Sequence, residues 1–320
     1  MRRSGRNTGA ARATSSKNKC ECCEPSRGGA TSKPDPTPIA EAVLAPGLYL
    51  VATPIGNLGD VTLRGLAVLR SVDRIFCEDT RVTARLLARY DIRAPLDLYH
   101  DRNAERARPA VLAALRRGER LALVSDAGTP LISDPGYKLV REAIAENLPV
   151  TAIPGPSAAL TALILSGLPS HAFLFAGFLP PRRSARRRAL EQWSALGATL
   201  VFFEAAPRLT ECLADMAELL GNRAVAVARE LTKLHEEIRR GRLADIVIYY
   251  REAGPPRGEA VIVVGPPEPA APDHADLDGR LRAALTKLGI RDAAATVAAQ
   301  TGLPRSELYR RALAIRGGKK

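Results

Sequence analysis

The stretch LALVSDAGTPLISDPGYKLV, Leu121–Val140, ends an apolar run on Asp126 and then turns twice in quick succession. Ala127-Gly128-Thr129-Pro130 is a loop of small residues, and Asp134-Pro135-Gly136 is a second turn. Small side chains let a ligand approach the backbone closely. A connection that merely joined two elements would not need two such turns. The pair therefore reads as a binding loop at the end of a strand.

The same texture recurs on both sides. Upstream, LYLVAT is a short apolar run, followed by a loop and the helically spaced VTLRGLAVLRSV. DRIFCED is strand-like and leads into the helical TRVTARLLARY, and ERARPAVLAALRRG is a helix ahead of LALVSD. Downstream, PVTAIPG is a fourth strand and PSAALTALILSG an apolar helix. Strands that alternate with such helices imply a parallel sheet with crossover connections. In sheets of this kind the ligand crevice lies beyond the carboxyl ends of the strands. Pro154-Gly155-Pro156, with Ser157 opening the next helix, is a third rigid turn at such an end. Three turns after three parallel strands make one lined crevice.

The loop after the first strand, TPIGNLGD, fits no common phosphate cradle. Gly56 and Gly59 are followed by Asp60 and no Lys, unlike a P-loop, and the first glycine pair of the dinucleotide fingerprint is missing. The G-x-G-x-G of Rossmann methyltransferases is missing too. Pro54 and Asn57 instead make a stiff polar turn that exposes backbone donors, with Asp60 expected to cap a helix starting near Val61. FCEDTR sets Glu78, Asp79 and Arg81 at a strand's carboxyl end, where two carboxylates serve acid–base work or anchor an Arg. Asp79 fits the role of a helix cap equally well.

After Gly167-Leu168-Pro169 the texture changes. AFLFAGFLP, ATLVFFEA, RAVAVAREL and GEAVIVVG read as strands, and LHEEIRRGRLADI as a hairpin partner running into a helix, so this part is α/β with antiparallel content. FFEAAPRL places Glu204 at a strand end with Arg208 on the next helix, and ARELTK gathers Arg229, Glu230 and Lys233. Buried carboxylates are rarely left unpaired, so mutual salt bridges weigh evenly against a direct role. PPRRSARRRAL concentrates Arg182, Arg183, Arg186, Arg187 and Arg188 at a helix start. Forked Arg donors suit phosphate oxygens, and a solvated helix face is the plainer reading. GPPEPAAPDHAD is a Pro-rich linker. Beyond it, AAATVAAQTGLPRSELYRRAL has the outline of helix, Gly turn, Pro and helix, which suits either a helix-turn-helix unit or a packing appendage.

The expected organisation is a basic disordered tail over 1–45, α/β domains over 46–168 and 169–266, a linker over 267–276 and a helical appendage over 277–320. The tail is too poor in periodic apolar residues to offset its ordering entropy. A hydrophobic share of 46% supports a real core elsewhere, one built mainly from Ala, Leu and Val since aromatics are only 4%. A formal net charge of +13 points to a polyanionic partner, with an Arg-rich proteome as the plain alternative. No apolar run approaches the ~20 residues of a membrane span. No secretory signal is evident, so a cytoplasmic protein is expected. Cys20, Cys22 and Cys23 are too crowded, without a nearby His, for a structural metal site, so no metal is expected.

Taken in order, TPIGNLGDVTLRGL, EDTR, HDRN, VSDAGTPLISDPGYKLV, PGPSA, GLPS, GFLP, ARELTK and RGEAVIVV resemble the ribosomal RNA small-subunit methyltransferase I family, of the tetrapyrrole-methylase fold class. The resemblance runs from about Gly47 to Gly265 and more weakly through the C-terminal helices. It implies two α/β domains with a parallel N-terminal and a mixed C-terminal sheet. It also implies S-adenosylmethionine folded into the cleft between them, and a homodimer. The implied reaction is 2′-O-methylation of a cytidine ribose in the decoding region of 16S rRNA, on the assembled small subunit. Residues matching the cofactor side are Asp126, Ala127, Gly128, Ser157, Ala158, Phe203, Glu204, Ala228 and Gly258, with Thr129 in the same turn as Gly128 and Pro54, at the start of the opening loop, also expected to touch the cofactor. The opening loop would wall the substrate side. This chain departs from relatives at Arg102 in HDRN and at Ala205 after the strand-end Glu, which puts catalytic use of those side chains in doubt.

Methyl transfer is an in-line displacement for which the cofactor brings the leaving group, so the protein mainly positions the reactants. A ribose hydroxyl needs its proton removed or its oxyanion stabilised. Glu78 or Asp79 is expected as base and Lys233 as oxyanion partner. Asn57, Arg81, His100, Arg182, Arg183, Arg186 and Arg187 are expected on the RNA side, with His100 a further candidate for the chemistry. A tetrapyrrole C-methylase and a non-catalytic RNA-binding assembly factor are the alternatives. The basic charge, the TPIGNL loop and the appended helices argue against the first.

Overall fold

The computed structural model describes residues 42–254, 256, 258–268 and 276–317. The tail up to residue 41, with its three cysteines, and most of the 267–276 linker lie outside the described residues.

The first lobe alternates strand and helix: β1 (Gly47–Val51), α1 (Leu63–Ser71), β2 (Arg74–Cys77), α2 (Thr80–Arg89), β3 (Leu96–Leu98), α3 (Ala104–Arg116), β4 (Arg120–Val124), α4 (Tyr137–Ala145), β5 (Val150–Ile153) and α5 (Ala158–Ser166). The strands form one sheet in the order β3-β2-β4-β1-β5, and every pair is parallel. This order matters for the site. It sets β4, β1 and β5 side by side, so the turns SDAGTP, TPIGNL and PGPSA emerge as neighbours. The end of β2, with Glu78 and Asp79, lies on the other side of β4.

One face of this sheet is closed by α3 and α4, with Leu48, Phe76, Leu121 and Leu123 packed on Val111, Leu112, Leu115 and Leu139. β3 escaped the sequence reading. It is a three-residue edge strand with no fully buried residue, too short to show a period. The start of α1 also differs from expectation. Asp60 belongs to a 3-10 turn over Leu58–Asp60, and Thr62 caps the helix by accepting from Gly65 N at 3.0 Å.

The second lobe comprises β6 (Phe173–Phe178), α6 (Arg183–Trp193), β7 (Thr199–Ala205), α7 (Leu209–Leu220), β8 (Ala224–Arg229), β9 (Glu237–Arg242), α8 (Leu243–Ala253) and β10 (Glu259–Val264). Its sheet runs β6-β7-β10-β8-β9, with β6 and β7 parallel and the other pairs antiparallel. The strand β9 pairs with β8 and runs directly into α8, as LHEEIRRGRLADI implied. Because β10 opposes its neighbours, its start lies level with their ends: Ala260 pairs with both Glu204 and Arg229. Three strand termini thus share one edge.

The helices α6, α7 and α8 cover one face of this sheet. The other face receives α5 from the first lobe, with Ala159, Ala162 and Leu163 against Val201, Ala226, Ala228 and Val263. A helix at a lobe junction needs apolar residues on more than one side, which explains the uniformly apolar AALTALILS. The C-terminal helices α9 (Leu277–Leu285), α10 (Ile290–Thr301) and α11 (Arg305–Gly317) enclose a core of their own around Leu281, Val297 and Leu308. Gly302, at φ 71°, ends α10 in the left-handed conformation that favours glycine, ahead of Pro304 and α11.

Candidate active site

A cleft of about 420 Å³ opens between the carboxyl edge of the parallel sheet and the shared edge of the mixed sheet. That volume is of the size that holds a small ligand or cofactor. The first lobe contributes Ile55, Glu78, Asp126, Ala127, Ile132, Ser133, Asp134 and Ala158. The second contributes Phe178, the run Phe203–Ala205, Ala228, Glu230, Leu231, Lys233 and the run Gly258–Val261.

The three turns of the first lobe are stitched into one unit. Thr53 N donates to Gly128 O at 2.9 Å, and Gly128 N returns the bond to Thr53 O at 3.0 Å. Thr53 Oγ1 donates to Ser125 O at 3.0 Å, and Thr129 Oγ1 to Pro156 O at 3.1 Å. Ser157 caps α5. Gly128, Thr129 and Ser157 thus serve the loops' own bonding and, like Pro54, are absent from the cleft lining, whereas Asp126, Ala127, Ala158, Phe203, Glu204, Ala228 and Gly258 do line it.

TPIGNL proves to be a clasp between lobes. Asn57 N donates to Thr232 Oγ1 at 3.1 Å, and a Cβ on Gly56 would lie 2.5 Å from Lys233 Cγ and 2.9 Å from Leu231 O. Only glycine permits that approach. Across the cleft Gly258 sits at φ 87°, where a Cβ would fall 2.0 Å from Glu230 Oε1. The Glu230 carboxylate thus occupies the space a side chain would need.

The charged residues separate sharply by partner. Asp79 does not line the cleft. It caps α2, accepting from Arg81 N at 2.8 Å, and its carboxylate is clamped by the Arg81 guanidinium at 2.6 Å. That pairing holds its pKa down at about 2, far below the range of a general base, while the Arg81 side chain stays largely exposed. Glu78 does line the cleft but is exposed, and burial together with Asp126 and Asp101 raises its pKa. His100 stands close enough to counter that rise in part, yet it is not in the lining. Asp126 accepts from Asp79 N at 3.0 Å, and its pKa is raised chiefly by burial.

Asp134 went unassigned in the sequence, where its DPG context signalled only a turn. It faces the cleft, and burial, with Glu78, Asp126 and Asp101 adding like charge, pushes its pKa up to about 6. Leu131 and Ser133, at φ 72° and 65°, bend the loop that carries it.

On the second lobe, the carboxylates are paired. Glu204 is buried against Arg208 at 3.1 Å, Glu230 meets Lys233 at 3.1 Å, and Arg229 meets Glu237 at 3.0 Å. Sequence reasoning allowed for mutual pairing; each residue instead takes a separate partner.

The Arg run is corrected in the same way. Arg186 is buried on Asp215 at 2.7 Å, Arg183 meets Asp215 at 3.1 Å, and Arg187 bridges Asp215 and Glu218. Enclosed in this way, the Arg186 guanidinium is not offered to phosphate, and Arg187 is half-buried, whereas Arg183 keeps most of its side chain exposed beside its ion pair. Of the four RNA-side arginines expected there, Arg182 is exposed with no ion pair among the described residues. No group of His, Cys, Asp and Glu suited to a metal occurs among the described residues.

An all-parallel α/β lobe facing a mixed-sheet lobe across such a cleft defines a methylase of the tetrapyrrole (corrin/porphyrin) class, whose family description matches residues 47–247. Residues 271–316 match the RsmI C-terminal HTH domain. The chain belongs to the ribosomal RNA small subunit methyltransferase I family. It is 50% identical over 281 residues to the protein of that name from Mesorhizobium japonicum, covering 88% of this chain and 96% of the relative. It is 54% identical over 273 residues to the one from Erythrobacter litoralis, covering 85% and 96%. Among solved structures, diphthine synthase superposes with a TM-score of 0.54 at 15% identity, over 68% of this chain and 89% of the other. That likeness speaks for the fold alone.

Proposed function

We propose that this protein is the S-adenosylmethionine-dependent enzyme that methylates the ribose 2′-oxygen of a cytidine in the decoding region of 16S rRNA. It acts on the small ribosomal subunit, in the cytoplasm, as a homodimer. The relatives' name supports rRNA of the small subunit as the substrate. The observation that carries the chemistry is the cleft itself, where small apolar residues of both lobes meet first-lobe carboxylates that form no ion pair among the described residues.

The residues present fit the cofactor. Ala127, Ala158, Ala228 and Gly258 leave room beside Phe203, while Asp126 and its neighbours complement a positively charged sulfonium compound. When bound, S-adenosylmethionine supplies an activated methyl group with a neutral leaving group. The chain then has three tasks. The apolar residues Ile55, Leu231 and Val261 exclude water. The clasp at Gly56 and Asn57 fixes the lobes, so donor and acceptor meet in line. A carboxylate of the first lobe takes the ribose proton, with Lys233, steadied by Glu230, beside the developing oxyanion. Asn57, His100 and Arg182 remain our assignments for contacts to RNA, at the margin of the cleft. Leu160 and Ile164, one turn apart and exposed on α5, offer an apolar strip suited to a second copy.

The test is transfer of labelled methyl from S-adenosylmethionine to small subunits from a strain lacking this gene, followed by mass mapping of 2′-O-methyl groups. Label in a single cytidine ribose is expected. Label only in base, or none in RNA, overturns the reading.

A further inference from the structure

We infer that Asp134 is the group that accepts the proton from the attacking ribose hydroxyl. This rests on the reaction proposed above. Three carboxylates face the cleft from the first lobe: Glu78, Asp126 and Asp134. Asp126 has one oxygen committed to Asp79 N, and so holds the ends of β2 and β4 together. Glu78 is exposed toward His100. Asp134 is recessed between the lobes. Its neighbour Ser133 lies against β6, where a Cβ on Gly177 would stand 3.1 Å from Ser133 Oγ.

The groups facing Asp134 are the carboxylates Glu78, Asp126 and Asp101, which oppose its charged form, and the Ser125 hydroxyl, whose proton goes to Gly128 O at 3.0 Å. The second lobe adds Glu204, Glu230, Lys233 and Glu259 to the same cleft, with Glu204 on Arg208, and with Lys233 3.1 Å from Glu230 and 3.8 Å from Glu259. No ion pair engages Asp134 among the described residues. A carboxylate raised to about 6 is largely ionised at pH 7.5 and still a better proton acceptor than an ordinary one.

The step balances. As the ribose oxygen bonds to the methyl carbon, its proton passes to the Asp134 carboxylate. The carbon–sulfur bond breaks with its electron pair left on sulfur, so the sulfonium charge is discharged as a neutral thioether. Asp134 then returns the proton to solvent.

The experiment compares wild type, Asp134→Asn and Glu78→Gln in single-turnover methylation of small subunits from pH 5.5 to 8.5, at saturating cofactor. Calorimetric affinity for S-adenosylmethionine is measured alongside. We expect Asp134→Asn to lower the rate about 100-fold or more, as general-base loss does. Its cofactor affinity should stay within about twofold of wild type. The wild-type rate should rise with an apparent pKa near 6, and that limb should vanish in Asp134→Asn and persist in Glu78→Gln. Three outcomes overturn the role alone: a rate within tenfold of wild type with the limb intact, a limb lost only in Glu78→Gln, or a tenfold loss of cofactor affinity with the saturated rate unchanged. Wild-type enzyme that labels no ribose overturns the reaction and this role together.

Discussion

The walls of the cleft carry comparable numbers of acidic side chains and treat them differently. On the mixed-sheet side, Glu204 lies on Arg208 and Glu230 on Lys233, each pair closing at 3.1 Å. On the parallel-sheet side, Glu78, Asp126 and Asp134 face the same space with no ion pair among the described residues, and all three hold their protons more tightly than ordinary carboxylates. A paired buried charge is a structural part, because removing one partner strands the other. Unpaired carboxylates in a cleft lower stability and raise basicity together, as functional groups commonly do. The difference teaches that the second lobe spends its carboxylates on structure, while those of the first lobe are left available for the proton transfer proposed above.

The largest test of that contrast on the paired wall is Glu204→Ala, which removes the partner of Arg208 and an acceptor for Ala205 N. It should cost about 3 kcal/mol in chemical denaturation. A loss below about 1 kcal/mol would mean the pair is dispensable. Next, Gly258→Ala forces a Cβ onto the Glu230 carboxylate in a backbone conformation that side chains rarely adopt. The expected cost is about 1–3 kcal/mol, with a weakened cofactor affinity read by calorimetry.

The unpaired wall should respond with the opposite sign. Asp134 has a folded pKa of about 6, above the ordinary 3.8. Its contribution to stability is therefore full below about pH 4 and is lost as pH rises through about 6. Asp134→Asn removes that loss, so its melting temperature should exceed wild type at pH 8 by the equivalent of about 1 kcal/mol, after allowance for solvent screening. The advantage should disappear by pH 4, and melting curves at the two pH values decide it. The smallest effect belongs to the clasp. Thr232→Val removes the acceptor for Asn57 N and should cost about 0.5–1.5 kcal/mol, with the methylation rate falling more than the global stability if lobe alignment limits transfer.

Much of this architecture was legible beforehand because it rests on local rules. Alternating apolar runs and helical spacing announced the parallel lobe, and LHEEIRRGRLADI announced β9 and its passage into α8. The short edge strand β3 was not legible, since three half-exposed residues carry no periodicity. At the site, Asp126, Ala127, Ala158, Phe203, Ala228 and Gly258 were placed by motif and do line the cleft. Asp79 read equally well as base or helix cap, because a carboxylate in EDTR suits both roles, and the fold shows it as the cap.

The chain's own order of residues thus dictated the alternation of strands and helices, the rigid turns at their ends and the family to which it belongs. Those depend on near neighbours, through period, ring closure and the absence of a Cβ. The fate of each charge depended on partners far along the chain. Arg186 is buried because Asp215 stands across from it, Gly56 is a clasp because Leu231 and Lys233 press on it, and Asp134 has a raised pKa because burial and the carboxylates of β2 and β4 surround it. Electrostatic interaction is set by distance through space, and only the packed lobes define those distances.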